Sequence, residues 1–135
     1  MIQEIETIPI KFGTDGWRGI NDRDFNFTNL ARVVQAYAQF LRSLSQQKES
    51  GSGQLLPNNL KVMVGFDCRQ LSPAYGKLTA RILAGNGFAP FLFSDPVPTP
   101  MVSWAVKSKE ALGGCVITAS HNPHNYNGFK IKEEW

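Results

Sequence analysis

Thr118-Ala119-Ser120-His121-Asn122-Pro123-His124-Asn125-Tyr126-Asn127-Gly128-Phe129-Lys130 joins two apolar segments through a loop of hydroxyl, imidazole and amide side chains. Before it, Gly113-Gly114 leads into Cys115-Val116-Ile117-Thr118, which reads as a strand. After it, Phe129 and Ile131 alternate with Lys130 and Lys132, the period of a half-exposed strand. The connection is too short to hold a crossover helix, so this last pair is expected to be antiparallel.

Upstream, helices and strands alternate. Val33, Val34, Tyr37, Ala38, Leu41 and Leu44 recur at helical spacing from Leu30, with Asn26 or Thr28 as N-cap. Ser45 to Asn59 is polar and contains Gly51-Ser52-Gly53, which predicts a flexible loop within one domain. Leu60 to Phe66 is a β-rich run. Ser72-Pro73 predicts a cap and a first-turn proline, and Leu78, Ile82 and Leu83 supply an apolar face that Gly85-Asn86-Gly87 terminates. Phe88 to Phe93 is the next strand, closed by Pro96-Val97-Pro98. Thr99-Pro100 repeats the cap-plus-proline signal before Met101, Val102, Ala105 and Val106. The order predicts an α/β fold with three layers, α/β/α, around a mixed, mostly parallel sheet whose last strand is antiparallel. In such sheets ligands gather at the carboxyl ends of the strands, and Ser120 follows a strand at that edge.

The bulk properties fit one domain spanning residues 1–135. Hydrophobic residues are 42% and charged residues 19%, enough apolar content for a packed core. A net charge of +3 without an aromatic-interleaved basic run argues against nucleic acid. No apolar stretch approaches the ~20 residues that span a bilayer, so no membrane role is expected. Met1-Ile2-Gln3-Glu4-Ile5-Glu6 lacks the basic and apolar regions of a signal peptide, which predicts a cytoplasmic protein. Cys68 and Cys115 end apolar runs and are expected to be buried free thiols. The chain stops at Trp135, directly after a strand, as expected for one domain of a longer protein.

Ser120 is a candidate nucleophile or phosphate carrier. A loop serine that caps the backbone fits the same residues. A serine hydrolase does not fit, because Ser120 sits between Ala119 and His121 rather than in Gly-x-Ser-x-Gly, and adjacent residues of an extended loop point apart. Cys68, Cys115, His121 and His124 lack the Cys-x-x-Cys spacing of a zinc site. The glycine-rich segments match neither the P-loop nor the dinucleotide fingerprint.

Phe12-Gly13-Thr14-Asp15-Gly16-Trp17-Arg18-Gly19 is the second constellation. Its three glycines predict tight or positive-φ backbone, and Arg18 carries a planar fork suited to phosphate. On residue chemistry alone, a solvated arginine in an N-terminal turn is the simpler reading. Gly65-Phe66-Asp67-Cys68-Arg69 follows a strand, and Asp67 and Arg69 are expected to pair and hold loops together.

These three segments resemble, in order and spacing, the first domain of the α-D-phosphohexomutases, the family of phosphoglucomutases and phosphomannomutases. Gly13-Thr14-Asp15-Gly16-Trp17-Arg18-Gly19 is similar to its N-terminal motif, and Gly65 to Ser72 to its Gly-x-Asp-x-Arg-x-x-Ser motif. Thr118 to Lys130 resembles its phosphoserine loop. The resemblance implies that Ser120 carries the transferable phosphate. It implies that His121 and Lys130 assist proton transfer and stabilise charge, and that Arg18 reaches the active-site phosphate. It also implies a hexose phosphate substrate, a sugar bisphosphate as intermediate and activator, and Mg²⁺ bound to Ser120 through its phosphate. The aspartate loop that completes the metal site is missing here. The remaining domains of the longer chain become partners, and this domain alone is expected to be inactive. The opening Phe-Gly-Thr-Asp-Gly is also similar to phosphoglucosamine mutases, and a non-catalytic phosphosugar-binding module would use the same loop. His124-Asn125 departs from the family's usual proline and acidic or polar residue.

Overall fold

Four strands point one way and a fifth runs back between them, in a computed structural model that describes residues 8–52 and 60–133. The elements are β1 (Trp17–Ile20), α1 (Phe27–Ser52), β2 (Lys61–Phe66), α2 (Ser72–Gly85), β3 (Ala89–Leu92), α3 (Thr99–Ser108), β4 (Gly113–Ile117) and β5 (Tyr126–Lys132). The strand order is β1-β5-β4-β2-β3. β2 pairs in parallel with β3 and β4, and β5 is antiparallel to both β4 and β1. The mixed, mostly parallel sheet and the antiparallel last strand therefore both follow the sequence pattern.

The layers come from period-two alternation. Val62, Val64, Phe66, Cys115, Ile117 and Phe129 face α1 and α2, joining Val34, Leu41, Tyr75 and Leu83 in one core. Met63 and Val116 face the other way and join Val102, Ala105 and Val106 of α3. That second helix layer lies close: a Cβ on Gly65 would come within 2.4 Å of Val102 Cγ2, so only glycine admits α3 at this distance. β3 carries Pro90, which cannot donate to a ladder, and it lies at the sheet edge where that is tolerated.

Local signals account for several boundaries. Asn26 Oδ1 accepts from the Asn29 N–H at 2.8 Å, capping α1 as one of the two expected candidates. At the far end of α2 the Gly87 N–H reaches the Ala84 carbonyl, and Gly87 at φ +86° turns the chain so that the Phe88 N–H reaches the carbonyl of Leu83.

Five expectations are corrected. The segment from Ser45 is helical as far as Ser52, because Gln46-Gln47-Lys48-Glu49 are good helix formers despite their polarity; 53–59 lie outside the described residues. Trp17–Ile20 forms a strand rather than a turn, since pairing with β5 supplies partners for its backbone and buries Trp17. Ser72 and Thr99 do not cap their helices: Leu71 and Pro98 take the cap positions without side-chain bonds, and the Ser72 hydroxyl points elsewhere. Lys130 is buried, not solvated, because an ion pair offsets its charge. Cys68 is exposed in the turn after β2, whereas Cys115 is buried and its thiol is pushed well up by desolvation.

Candidate active site

β1, β2, β3 and β4 share one direction, so their carboxyl ends define a single edge. Ser120 lies there, three residues past β4. Its backbone sits at φ +58°, the left-handed region that side chains other than glycine's seldom adopt. Several contacts hold it there. The Ser120 N–H donates to Thr118 Oγ1 at 3.0 Å, and the Asn122 N–H to the Ala119 carbonyl at 3.1 Å. The Tyr126 N–H closes a second turn on the Pro123 carbonyl at 3.0 Å. Ala119 is fully buried, while Ser120 and His121 are exposed. A hydroxyl is thus presented to solvent from a fixed stem.

Arg69 supplies the largest share of that fixing. Nη1 donates to the carbonyls of Pro123 and Tyr126 at 2.6 and 3.2 Å, and Nη2 to those of Ser120 and Asn122 at 2.9 and 2.7 Å. Nε pairs with Asp67 Oδ2 at 3.2 Å. Asp67 Oδ1 accepts both the Arg69 N–H, at 3.0 Å, and the Ser72 hydroxyl, at 2.7 Å. Asn127, fully buried on β5, donates to Ser72 Oγ at 2.9 Å. The expected Asp67–Arg69 pairing is present, and its target is the serine loop.

Arg18 also reaches that loop. It stands opposite Gly128 on β5, and its Nη1 donates to Asn122 Oδ1 at 2.9 Å. The register places Arg18, Gly128, Lys130 and Val116 on the face that α3 partly covers. α3 packs mainly on β2 and β4, which leaves the β1–β5 side of this face with three cations, Arg18, Lys130 and Lys132, and the loop amide.

Lys130 is brought to the same face but not to the loop. It pairs with Val116, two residues further from the edge than Thr118. That is about 7 Å along the strand. Its Nζ meets Asp15 Oδ2 at 2.5 Å, with Lys132 Nζ 3.3 Å from Asp15 Oδ1. The Lys130 hydrogen bond holds the Asp15 carboxyl below its ordinary range. The structure therefore gathers Ser120, His121 and Arg18 around one loop and sets Lys130 beside it, already paired.

Four participants escaped sequence reasoning. Asp15 holds Lys130, Asn122 holds Arg18, Thr118 fixes the Ser120 N–H, and Asn127 anchors the Asp67–Ser72 link. All four lie inside the two quoted segments, Asp15 in the glycine-rich one and Thr118, Asn122 and Asn127 in the serine loop, but their roles were not legible there. Those of Asp15, Asn122 and Asn127 depend on contacts 55 to 115 residues away, and that of Thr118 on side-chain direction.

Comparison with known proteins matches residues 9–134 to the family described as phosphoglucomutase/phosphomannomutase, alpha/beta/alpha domain I. The chain is 38% identical over 122 residues to a protein assigned as a phosphoribomutase in Schizosaccharomyces pombe, covering 90% of this chain and 20% of that one. It is 34% identical over 128 residues to a phosphoglucomutase of Staphylococcus saprophyticus, covering 93% and 21%. A crystal structure from Thermus thermophilus, assigned as a phosphomannomutase, superposes with a TM-score of 0.78 at 41% identity, over 93% of this chain and 26% of that one. The chain thus spans about a fifth of the length of the curated relatives it matches.

Proposed function

The chain belongs to the phosphoglucomutase/phosphomannomutase family as its alpha/beta/alpha domain I, and from that membership we propose that it is the phosphoserine-bearing domain of a sugar-phosphate mutase. The reaction interconverts a hexose 1-phosphate and a hexose 6-phosphate through a sugar bisphosphate. The observation that carries this reading is the exposed Ser120 hydroxyl, held at φ +58° at the carboxyl edge with Arg18 tied to its loop.

A hydroxyl oxygen of the sugar monophosphate attacks the phosphorus of the Ser120 ester and gives up its proton, which balances the one that Oγ gains. The P–Oγ bond breaks, and Ser120 Oγ takes up a proton as it leaves. The bisphosphate turns over, and Oγ loses its proton and attacks the other phosphorus; that sugar O–P bond breaks, the sugar oxygen takes up a proton, and the isomer is released with the ester restored. Phosphoryl transfer is mainly positioning and charge compensation, so arginine, imidazole and ammonium suit it better than a hydrolase triad. His121, exposed and next to Ser120 in the chain, is read as assisting proton transfer and charge compensation around the phosphoryl group, the role that the family resemblance implies. Arg18 reaches the phosphate from β1. Lys130 adds positive charge from the sheet face, and a direct part in proton transfer requires its Asp15 pair to open.

Among the described residues no group of three or more His, Cys, Asp or Glu side chains is placed to hold a metal. The oxygens of an ester on Ser120 suit a hard cation, so Mg²⁺ would be held on this chain through them, with its other ligands on segments beyond residues 8–133. When bound, the ion offsets charge on the transferring group. Selection of the sugar and grip on its distal phosphate belong to the remaining domains of a longer chain. Identity with the S. pombe protein favours a pentose phosphate as the second substrate reading.

Intact-mass and peptide mapping of the longer protein decide the matter, with turnover assayed on glucose, mannose, glucosamine and ribose 1-phosphates. One phosphate on Ser120 is expected, and Ser120→Ala should abolish both ester and turnover. An ester on Thr118 instead, or full activity in Ser120→Ala, refutes the reading.

A further inference from the structure

We propose that Arg69 is the positioning residue of the phosphate-carrying loop: it draws four carbonyls to one guanidinium, which turns the His121 and His124 N–H groups to the opposite side as donors for the Ser120 phosphate. The proposal rests on the reading of Ser120 as phosphate carrier.

The geometry starts with Arg69 itself. Four of its N–H groups are spent on the carbonyls of Ser120, Asn122, Pro123 and Tyr126, and its Nε on Asp67. With its side chain only 13% exposed, Arg69 has no fork left for substrate. It differs in this from Arg18, which makes a single bond to the loop.

The consequence follows from the planarity of the peptide. The described peptide bonds are trans, so the N–H of each residue points opposite to the carbonyl of the residue before it. The Ser120 carbonyl points to Arg69, so the His121 N–H points away from it. The Pro123 carbonyl points to Arg69, so the His124 N–H points away as well. Among the described residues neither N–H has a backbone acceptor, whereas those of Asn122 and Tyr126 are used on Ala119 and Pro123. Two unspent amides flanking the loop, one of them directly after the left-handed Ser120, are free to donate to an anion. The guanidinium meanwhile neutralises the carbonyl ends of the same peptides, which would otherwise repel a phosphate. A fork is needed for this. A lysine ammonium has three donors on one atom and cannot span four carbonyls.

Arg69→Lys and Arg69→Ala in the longer protein test the proposal. Amide hydrogen exchange across 119–126 should quicken at least about tenfold in both, while amides of β2 and β4 keep their protection. In Arg69→Lys, kcat should fall about a hundredfold with KM nearly unchanged, the scale of a misplaced reacting group. Added guanidinium should restore part of the kcat of Arg69→Ala. The wild-type His121 and His124 amide protons should move downfield when the ester forms. If Arg69→Ala does not fold, Arg69→Lys, which keeps the stem and the charge, carries the comparison. Loop exchange and kcat close to wild type in Arg69→Lys overturn the positioning role, and amide protons that ignore the ester overturn the donor role. A wild-type protein without ester or turnover overturns the mutase reading instead, while loop exchange still decides what Arg69 positions.

Discussion

Lys130 Nζ meets Asp15 Oδ2 at 2.5 Å and so closes a span of 115 residues. The lysine is buried on β5 and the carboxylate half-exposed ahead of β1. Lys132 adds a second contact from the same strand. The pair fastens the glycine-rich N-terminal segment to the last strand, next to the β1–β5 ladder that seats Arg18. It also keeps an ammonium inside the domain, where an unpaired charge would be costly.

Asp15→Asn should therefore destabilise the chain by about 1 kcal/mol at neutral pH, a modest figure because the carboxylate is half in solvent. The folded carboxyl titrates below the ordinary aspartate value of 3.8. Its contribution is then fully present above that value and is lost as pH falls through the lower folded one. Urea unfolding of both proteins should show the gap closing towards about pH 2. A gap that stays constant down to that pH would assign the cost to something other than the carboxylate charge.

Gly16→Ala should cost at least about 2 kcal/mol, from backbone strain plus a clash. Gly16 sits at φ +108°, and a Cβ there would lie 2.3 Å from the Phe129 carbonyl oxygen. Thermal unfolding measures it. An unchanged melting temperature would mean that β1 can move off β5 without penalty.

Asn127→Ala removes the donor to Ser72 Oγ and the acceptor of the Gly128 N–H from a fully buried position. The expected loss is about 1–3 kcal/mol, the cost of stranded buried polar groups. Faster amide exchange at Arg69 should accompany it, because Ser72 and Arg69 share Asp67. Loss of stability with no change at Arg69 would uncouple the two ends of this network.

Arg18→Ala in the longer protein should lower kcat/KM by the equivalent of about 1.5–3 kcal/mol, the scale of a hydrogen bond to a charged group. Arg18 stands on the open part of its sheet face and its truncation leaves no core cavity, so the unfolding midpoint should hold. Wild-type kinetics in this variant would limit Arg18 to its structural bond with Asn122.

Much of the fold was legible because period and punctuation act locally. The β-rich run from Leu60 to Phe66 contains β2, and Gly85-Asn86-Gly87 ends a helix where it should. The short link from Thr118 to Tyr126 could only reverse the chain, so an antiparallel last strand followed. The serine loop itself was visible as a cluster of residue types. Helix length was misjudged where polarity and helix propensity diverge, from Ser45 to Ser52.

What the sequence determined by itself was the alternation of elements, the place of Ser120 after a strand and the supply of cations near it. The pairing of Arg69 with Asp67 was expected as well, but which groups each cation grips was decided only by the tertiary structure. Strand order is not local: β1 returns from the start of the chain to pair with β5, which brings Arg18 to Asn122 and Asp15 to Lys130. Arg69 was expected to hold loops, but only the fold shows that it grips the serine loop's carbonyls while Arg18 makes one bond to Asn122 of that loop. A guanidinium's role follows from which acceptors lie within about 3 Å of it, and the fold, not the residue type, sets those distances.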